Sequence, residues 1–468
     1  MNIGPDGLAD PHDPPLDAEL GRASDVPPPT AAASPADTSP LPGVPASSFA
    51  DTSSPAGMGA PASLPEASSS AGTGSVSLMD GAPAEMAARL PAGNVLLLGG
   101  PGSGKTSLLE EVMHDLAGDP GGTALFVTSS RQAANASTER LLARVERAAG
   151  GALSCVTWHA FARGLVTSHA DLLPYRGEPR PLSGPEQWSL VRELLLQDRP
   201  VVDWGELEPL VRTRAFTDEL ANFVLACQRR LIGPDELVER ADAQRRPAWH
   251  LAADFLGSYL GHLALADLVD QAGMVVQAGD LLEDHVDLRA DTVAQVGTIL
   301  VDEAQELDAA QFRLLELLAA GGARVIMAGD PAGTTDAFRG ADPAALPQRG
   351  ARLGASTVLL EHSRRLGGPG LDAVRRLQAA GPQPTVGLRG IRTTAVEAAH
   401  FPGPAEEADA IARLLRLAHH RDGVAYGRMA VLLPSPRRLA GPVRRALERR
   451  GVPYRLGAGE RQLLHEPI

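Results

Sequence analysis

A chain of 468 residues, 44% hydrophobic and 21% charged, is long enough for two or three domains. Two cysteines, Cys155 and Cys227, exclude a disulfide scaffold and fit a reducing cytoplasm; no apolar run reaches the ~18 residues of a membrane span. The net charge of -14 argues against a nucleic-acid partner until it is resolved along the chain: residues 1–92 carry eleven acids and two arginines, residues 346–468 twenty arginines and ten acids. The basic C-terminal part leaves room for a local polyanion site, although arginines also serve as solvated helix faces.

The opening MNIGPDGLAD lacks the basic start and apolar core of a signal peptide. Residues 1–90 are rich in Pro, Ala, Ser and Asp, cannot bury enough apolar surface to offset their ordering entropy, and read as a disordered tail. From Gly93 the texture changes. NVLLLGG predicts a buried parallel strand and KTSLLEEVMHDLA an amphipathic helix; TALFVTSS, STERLLARVERAA and LSCVTWHAFARGLV repeat the alternation. Such alternation predicts a parallel sheet with helices on both faces. Between about 170 and 293 the pattern is helical, as in GPEQWSLVRELLLQ and AFTDELANFVLACQRRL. Strands return at VGTILVDEAQ and ARVIMAGD, and a last α/β stretch runs from STVLLEHSRR through RMAVLLPSPRRLAGPVRRALERRGVPYRL.

Gly99, Gly100, Pro101, Gly102, Ser103, Gly104, Lys105 and Thr106, with Ser107 following, fit the phosphate-loop pattern G-x-x-x-x-G-K-[ST] between a strand and a helix. The glycines let backbone N–H groups turn inward around phosphate oxygens, and the next helix aims its positive N-terminus at the same anion. Lys105 is the only lysine in the chain. A compact ammonium reaches the β and γ phosphates where arginine's planar fork would not fit. The pattern therefore predicts a phosphate-bearing ligand, with Mg2+ on the Thr106 hydroxyl.

Asp302 and Glu303 end an apolar strand 197 residues after Lys105, a gap the helical insert explains. With a phosphate loop, they suit metal holding through water (Asp302) and orientation and deprotonation of an attacking water (Glu303). Phe338 and Arg339 follow a further strand on a loop; Phe338 suits base stacking or core packing. Trp158, His159 and Phe161 cluster at a strand end with the same two readings, and His159 has no metal-like partner nearby.

In their order these blocks resemble the superfamily 1A DNA helicases of UvrD/Rep type over about residues 90–468. GGPGSGKT resembles motif I, VTSSRQAANASTERL motif Ia, TWHAFA the T-F-H-S-F-A block, VDEAQELD motif II, GDPAGTTDAFRGA motif III and LLEHSRR motif IV. The segment from Met429 resembles the one that precedes the 2B insertion, and the helical insert is similar to that of the actinobacterial branch that includes the AdnAB helicase–nucleases. The resemblance implies a P-loop NTPase of RecA-like α/β fold: domain 1A over 91–169 and 294–350, insert 1B over 170–293, and an incomplete second RecA-like domain 2A over 351–468. It further implies that Gln305 senses the γ-phosphate or the attacking water and that Arg364 reaches the γ-phosphate. Trp158, His159, Phe161, Phe338 and Arg339 would line a single-stranded DNA path.

Several positions depart from the family pattern. No glutamine precedes Gln132, so the adenine-reading glutamine upstream of motif I is missing. Gly333 and Asp336 replace the usual Gln and Tyr of motif III, His362-Ser363 the Asn-Tyr pair of motif IV, and Pro434 a common Arg. Motifs V and VI, the 2B domain and a nuclease are not in the sequence. The expectation is an ATP-driven DNA translocase or helicase acting in repair or recombination, or the N-terminal part of one, with a second helicase or nuclease subunit as a further partner. The alternative is a degenerate or truncated motor that binds ATP and DNA as a supporting subunit with little hydrolysis. A small-molecule kinase would leave VDEAQ and FRGA unexplained.

Overall fold

The computed structural model describes residues 76–78, 81–119, 121–144, 152–197, 202–335, 340–379, 389–390 and 396–455. The chain divides into two compact units at Val396/Glu397. In the larger, β1 (Val76–Leu78), α1 (Pro83–Ala87), β2 (Val95–Gly99), α2 (Lys105–Gly118), β3 (Thr123–Thr128), α3 (Arg131–Leu142), β4 (Ala152–Thr157) and α4 (Trp158–Ser168) follow in order. Next come β5 (Arg180–Pro181), α5 (Gly184–Leu196), α6 (Glu208–Val211), α7 (Arg214–Arg229), α8 (Pro234–Gln244), α9 (Ala248–Leu265) and β6 (Leu268–Val269). Then α10 (Gln271–Asp284), α11 (Val286–Val296), β7 (Thr298–Val301), α12 (Ala309–Ala320), β8 (Arg324–Gly329), α13 (Leu346–Arg352) and β9 (Ser356–Leu360) return to the sheet. The pair β10 (His362–Ser363) and β11 (Arg389–Gly390) flanks α14 (Gly368–Ala379).

The α/β expectation holds. Seven parallel strands form one sheet in the order β1-β9-β2-β8-β7-β3-β4. Strand β2 is apolar throughout because both its faces are covered, Leu96 and Leu98 joining one core layer and Val95 and Leu97 the other. Asn94 fixes the entry to β2, its amide donating to Leu353 O at 2.8 Å and its carbonyl accepting from Val325 N at 2.8 Å. The C-terminal ends of β2, β7 and β8 therefore open together, where ligands bind in parallel α/β sheets.

Three expected boundaries move. The tail assigned to 1–90 is too long: β1 and α1 fall inside it, and Met86 is buried in the core beneath β2. Residues 1–75 lie outside the described residues. The helical insert, expected over 170–293, is narrower. Helices α5 to α9 share a core of their own from Leu182 to Leu263, built around Trp204, Phe255 and Tyr259. Helix α10 instead turns Met274, Val275, Ala278 and Leu282 onto the sheet, so it belongs to the α/β layer. Finally, the second domain does not open at residue 351, because β9 pairs with β2 and buries Val358 and Leu360 beside it.

Local signals set the helix starts at both ends of the insert. Ser183 and Glu186 form a reciprocal capping box on α5, with Ser183 N donating to Glu186 Oε2 at 2.8 Å. Those hydrogen bonds, with Arg180, hold the exposed Glu186 carboxyl at about 2. Asp270 caps α10 and accepts from Gly273 N at 2.7 Å, Gln228 Nε2 at 2.7 Å and Tyr259 OH at 2.8 Å, joining three helices at one buried carboxylate.

The smaller unit contains α15 (Pro404–Asp422) and α16 (Pro436–Arg449), packed through Ala408, Ala412, Val443, Ala446 and Leu447 and joined by Arg450 to Asp409 at 2.8 Å. The apolar run Met429–Leu433, expected within an α/β stretch, forms no strand among the described residues, and Leu432 is 90% exposed.

Candidate functional site

The phosphate loop follows β2 directly. Gly102 and Gly104 have φ of +74° and +95°, the left-handed region that glycine enters without a Cβ penalty. Gly104 also starts α2, so the helix N-terminus faces the loop. A Cβ on Gly99 would fall 2.3 Å from Ser103 Oγ, so the turn closes only around glycine. Lys105 Nζ donates to Gly99 O at 2.6 Å and Gly100 O at 3.0 Å, folded back across the mouth of the loop. Burial lowers its ammonium below the usual lysine range, against the pull of Asp330, Asp302 and Glu303.

Strand β7 delivers the acidic pair. Asp302 N donates to Val127 O at 2.9 Å, and Asp302 Oδ2 accepts from Thr106 Oγ1 at 2.7 Å. Burial raises the Asp302 carboxyl above its ordinary value. Glu303 follows with φ +54°, uncommon for a residue with a Cβ, and its N–H donates to Asp302 Oδ1 at 3.0 Å. The backbone turn sends the two carboxylates apart, Asp302 to the phosphate loop and Glu303 to the hydroxyl of Ser129.

Two expected catalytic side chains have specific tethers. Gln305 Oε1 accepts from Asp330 N at 3.0 Å, so its amide joins the acidic segment to the end of β8. Burial raises Asp330, while Lys105 lowers it. Arg364 N donates to Gly102 O at 2.9 Å, its guanidinium donates to Gly81 O, and its Nε lies 3.8 Å from where a Cβ on Gly104 would stand. Arg364 thus stands over the phosphate loop.

These residues fit a nucleoside triphosphate. Ser103 Oγ is buried with no hydrogen-bond partner at the centre of the loop, and Lys105 has two uncharged carbonyl partners that anionic phosphate oxygens would replace. They fit Mg2+ too. Among the described residues no three His, Cys, Asp or Glu side chains group as a metal cage. One hydroxyl and one carboxylate, Thr106 and Asp302, suit an ion that keeps waters and takes phosphate oxygens.

Beside Glu303 opens a cleft of about 630 Å³ between the sheet ends and α7. Its lining includes Ser129, Trp158, His159, Asn222, Arg229, Arg230 and Gln271. Of the expected DNA-contacting residues, His159 is half-buried on its wall. Trp158 requires a correction: it is only 3% exposed and packs in the main core, edge-on to the half-buried Phe161 at 6.4 Å between centroids. Its ring is a wall from behind, not a free stacking face. Phe161 packs against the same core. Phe338 and Arg339 lie outside the described residues. Ser129, Asn222, Arg229 and Arg230 were not singled out from sequence; the helical spacing of Asn222, Ala226 and Arg229 along one face of α7 is the signal that could have found Asn222 and Arg229.

No helix among the described residues is long and apolar enough to cross a membrane. Comparison with known proteins gives relatives of modest identity. The chain is 25% identical over 305 residues to the ATP-dependent DNA helicase Rep of Escherichia coli (strain K12), covering 64% of this chain and 43% of that protein. It is 25% identical over 248 residues to a probable DNA helicase of Mycoplasma pneumoniae, covering 52% and 44%, and 25% identical over 297 residues to Rep of Salmonella typhimurium, covering 62% and 42%. The chain thus matches less than half the length of these curated relatives. The UvrD/REP helicase N-terminal domain matches residues 82–350, which hold the phosphate loop, the acidic pair and the cleft, and the chain belongs to that family.

Proposed function

We propose that this chain is the ATP-hydrolysing, single-strand-binding part of a UvrD-type DNA helicase or translocase serving DNA repair or recombination in the cytoplasm. The observation that carries this reading is the convergence of Lys105 and Thr106 after β2 with Asp302 and Glu303 after β7, two strands that flank β8, beside a cleft lined by His159, Arg229 and Arg230. ATP with Mg2+ supplies the phosphoanhydride whose hydrolysis drives movement. Lys105 exchanges its loop carbonyls for phosphate oxygens, and the loop N–H groups and the α2 terminus hold the same anion. Thr106 and Asp302 would hold Mg2+, which would offset the negative charge of the phosphates. Glu303 orients a water and accepts its proton as the water oxygen bonds to phosphorus and the bond to the leaving phosphate breaks. Arg364 over the loop offers a cation to the developing charge. Domains 1A, 1B and 2A are our assignment for the sheet unit, the α5–α9 insert and the segment after β9. The insert's resemblance to the AdnAB branch makes a second helicase or nuclease subunit the expected protein partner.

The test is ATP hydrolysis by the full chain with and without single-stranded DNA, beside Lys105→Ala. Stimulation by DNA that Lys105→Ala abolishes is the expected result. Nucleotide binding without stimulated turnover would replace this reading with that of a supporting subunit, which the departures at Gly333, Asp336 and His362 favour.

A further inference from the structure

We propose that Ser129 is a positioning residue that holds the Glu303 carboxylate away from the attacking water until a strand occupies the cleft. This deepens the reading of the site as a single-strand-dependent ATPase and rests on it.

The placement follows from strand register. Strands β3 and β7 are parallel neighbours with Val127 opposite Val301, both side chains in the same core layer. Two residues further on, just past the ends of both strands, come Ser129 and Glu303. The Ser129 hydroxyl donates to Glu303 Oε2. Asp302, one residue earlier, is turned to Thr106 at the nucleotide loop. The general base is thus tied on the strand side of the sheet ends, and its partner in motif II on the nucleotide side.

Ser129 is also exposed and lines the cleft with His159, Asn222 and Arg229. Its neighbour Ser130 starts α3, its hydroxyl accepting from Ala133 N at 3.1 Å. A phosphate or sugar oxygen entering the cleft meets the Ser129 hydroxyl as an alternative acceptor. When the hydroxyl turns to it, Glu303 loses its donor and is free to accept a proton from water. A hydroxyl–carboxylate bond is strong enough to bias a side chain and weak enough for a ligand to break. The backbone of Glu303 is held by its N–H donating to Asp302 Oδ1 at 3.0 Å and its carbonyl accepting from Glu306 N at 2.8 Å, so release moves only the side chain.

Two measurements on the full chain test this. The first needs neither nucleotide nor DNA: a double-mutant cycle of Ser129→Ala and Glu303→Ala read by Tm. Non-additive shifts are expected, because either substitution removes the same bond. The second is ATP hydrolysis. Ser129→Ala should raise the DNA-free kcat by roughly three- to tenfold, what the net worth of one solvent-exposed hydrogen bond holds back, with KM for ATP unchanged and a smaller stimulation by DNA. Ser129→Thr, which keeps the hydroxyl, should restore the low DNA-free rate. Additive Tm shifts, or a DNA-free rate in Ser129→Ala at or below the wild-type rate, overturn the proposal. If DNA fails to stimulate the wild-type chain while Ser129→Ala still accelerates it, the hold on Glu303 stands and the single-strand reading of the cleft falls.

Discussion

Thr106 Oγ1 and Asp302 Oδ2 meet at 2.7 Å, tying the first turn of α2 to the end of β7. Asp302 is buried, so a lost donor there is not replaced freely by water. Thr106→Val keeps the side-chain shape and removes the hydroxyl. It should lower unfolding free energy by about 1–3 kcal/mol in urea titrations and weaken Mg2+-dependent nucleotide binding by at least about tenfold. Thr106→Ser should keep both within a small margin of the wild type. Equal Mg2+ dependence in Thr106→Val and wild type would remove Thr106 from the metal site.

Asp308 caps α12, accepting from Gln311 N at 2.8 Å, and its burial pushes its carboxyl up to about 6 against the attraction of Arg229 and Arg349. In the unfolded chain the same group titrates near 4. The folded state therefore binds more protons between about pH 4 and 6, and this group's contribution to stability falls as pH rises through that window and is constant above it. Asn is an equally good cap and carries no charge. Asp308→Asn should match the wild type near pH 4 and gain on it by up to roughly 3 kcal/mol by pH 7, read as urea midpoints across the range. A parallel pair of pH profiles would show that Asp308 is ionised normally.

Trp158 and His159 are adjacent in sequence and opposite in role. Trp158→Ala should cost about 3–5 kcal/mol of stability, as deletion of a buried aromatic does. His159→Ala, at a half-buried position, should cost less stability than Trp158→Ala and weaken single-strand binding measured by fluorescence anisotropy. Loss of DNA affinity in Trp158→Ala at temperatures where it remains folded, without loss in His159→Ala, would reverse this assignment.

The contrast shows what a sequence of this kind carries. The phosphate loop was readable because each residue in it answers a local demand: glycine for positive φ, lysine for a compact charge, threonine for a ligand. The buried strands β2, β7 and β8 were readable as apolar runs. The fate of Trp158 was not, because an aromatic at a strand end looks the same whether its ring faces a core or a cleft. The side on which α10 packs was equally hidden: its apolar face could serve the insert or the sheet, and the choice depends on the buried Asp270 junction at its start. Ser129 was invisible for a third reason. Its partner lies 174 positions away and meets it only through the β3–β7 register.

The boundary of β9 bears on dissection of the chain. The family match ends at residue 350, yet β9 covers one edge of β2, Ser363 Oγ donates to Pro101 O at 2.8 Å, and Arg364 N donates to Gly102 O at 2.9 Å. The backbone of the phosphate loop is thus laced to residues beyond the matched stretch. A protein cut at residue 350 would leave β2 with a bare edge and the loop without two of its staples. The shortest stretch that keeps both staples on the phosphate loop therefore runs through Arg364, fourteen residues past the family boundary.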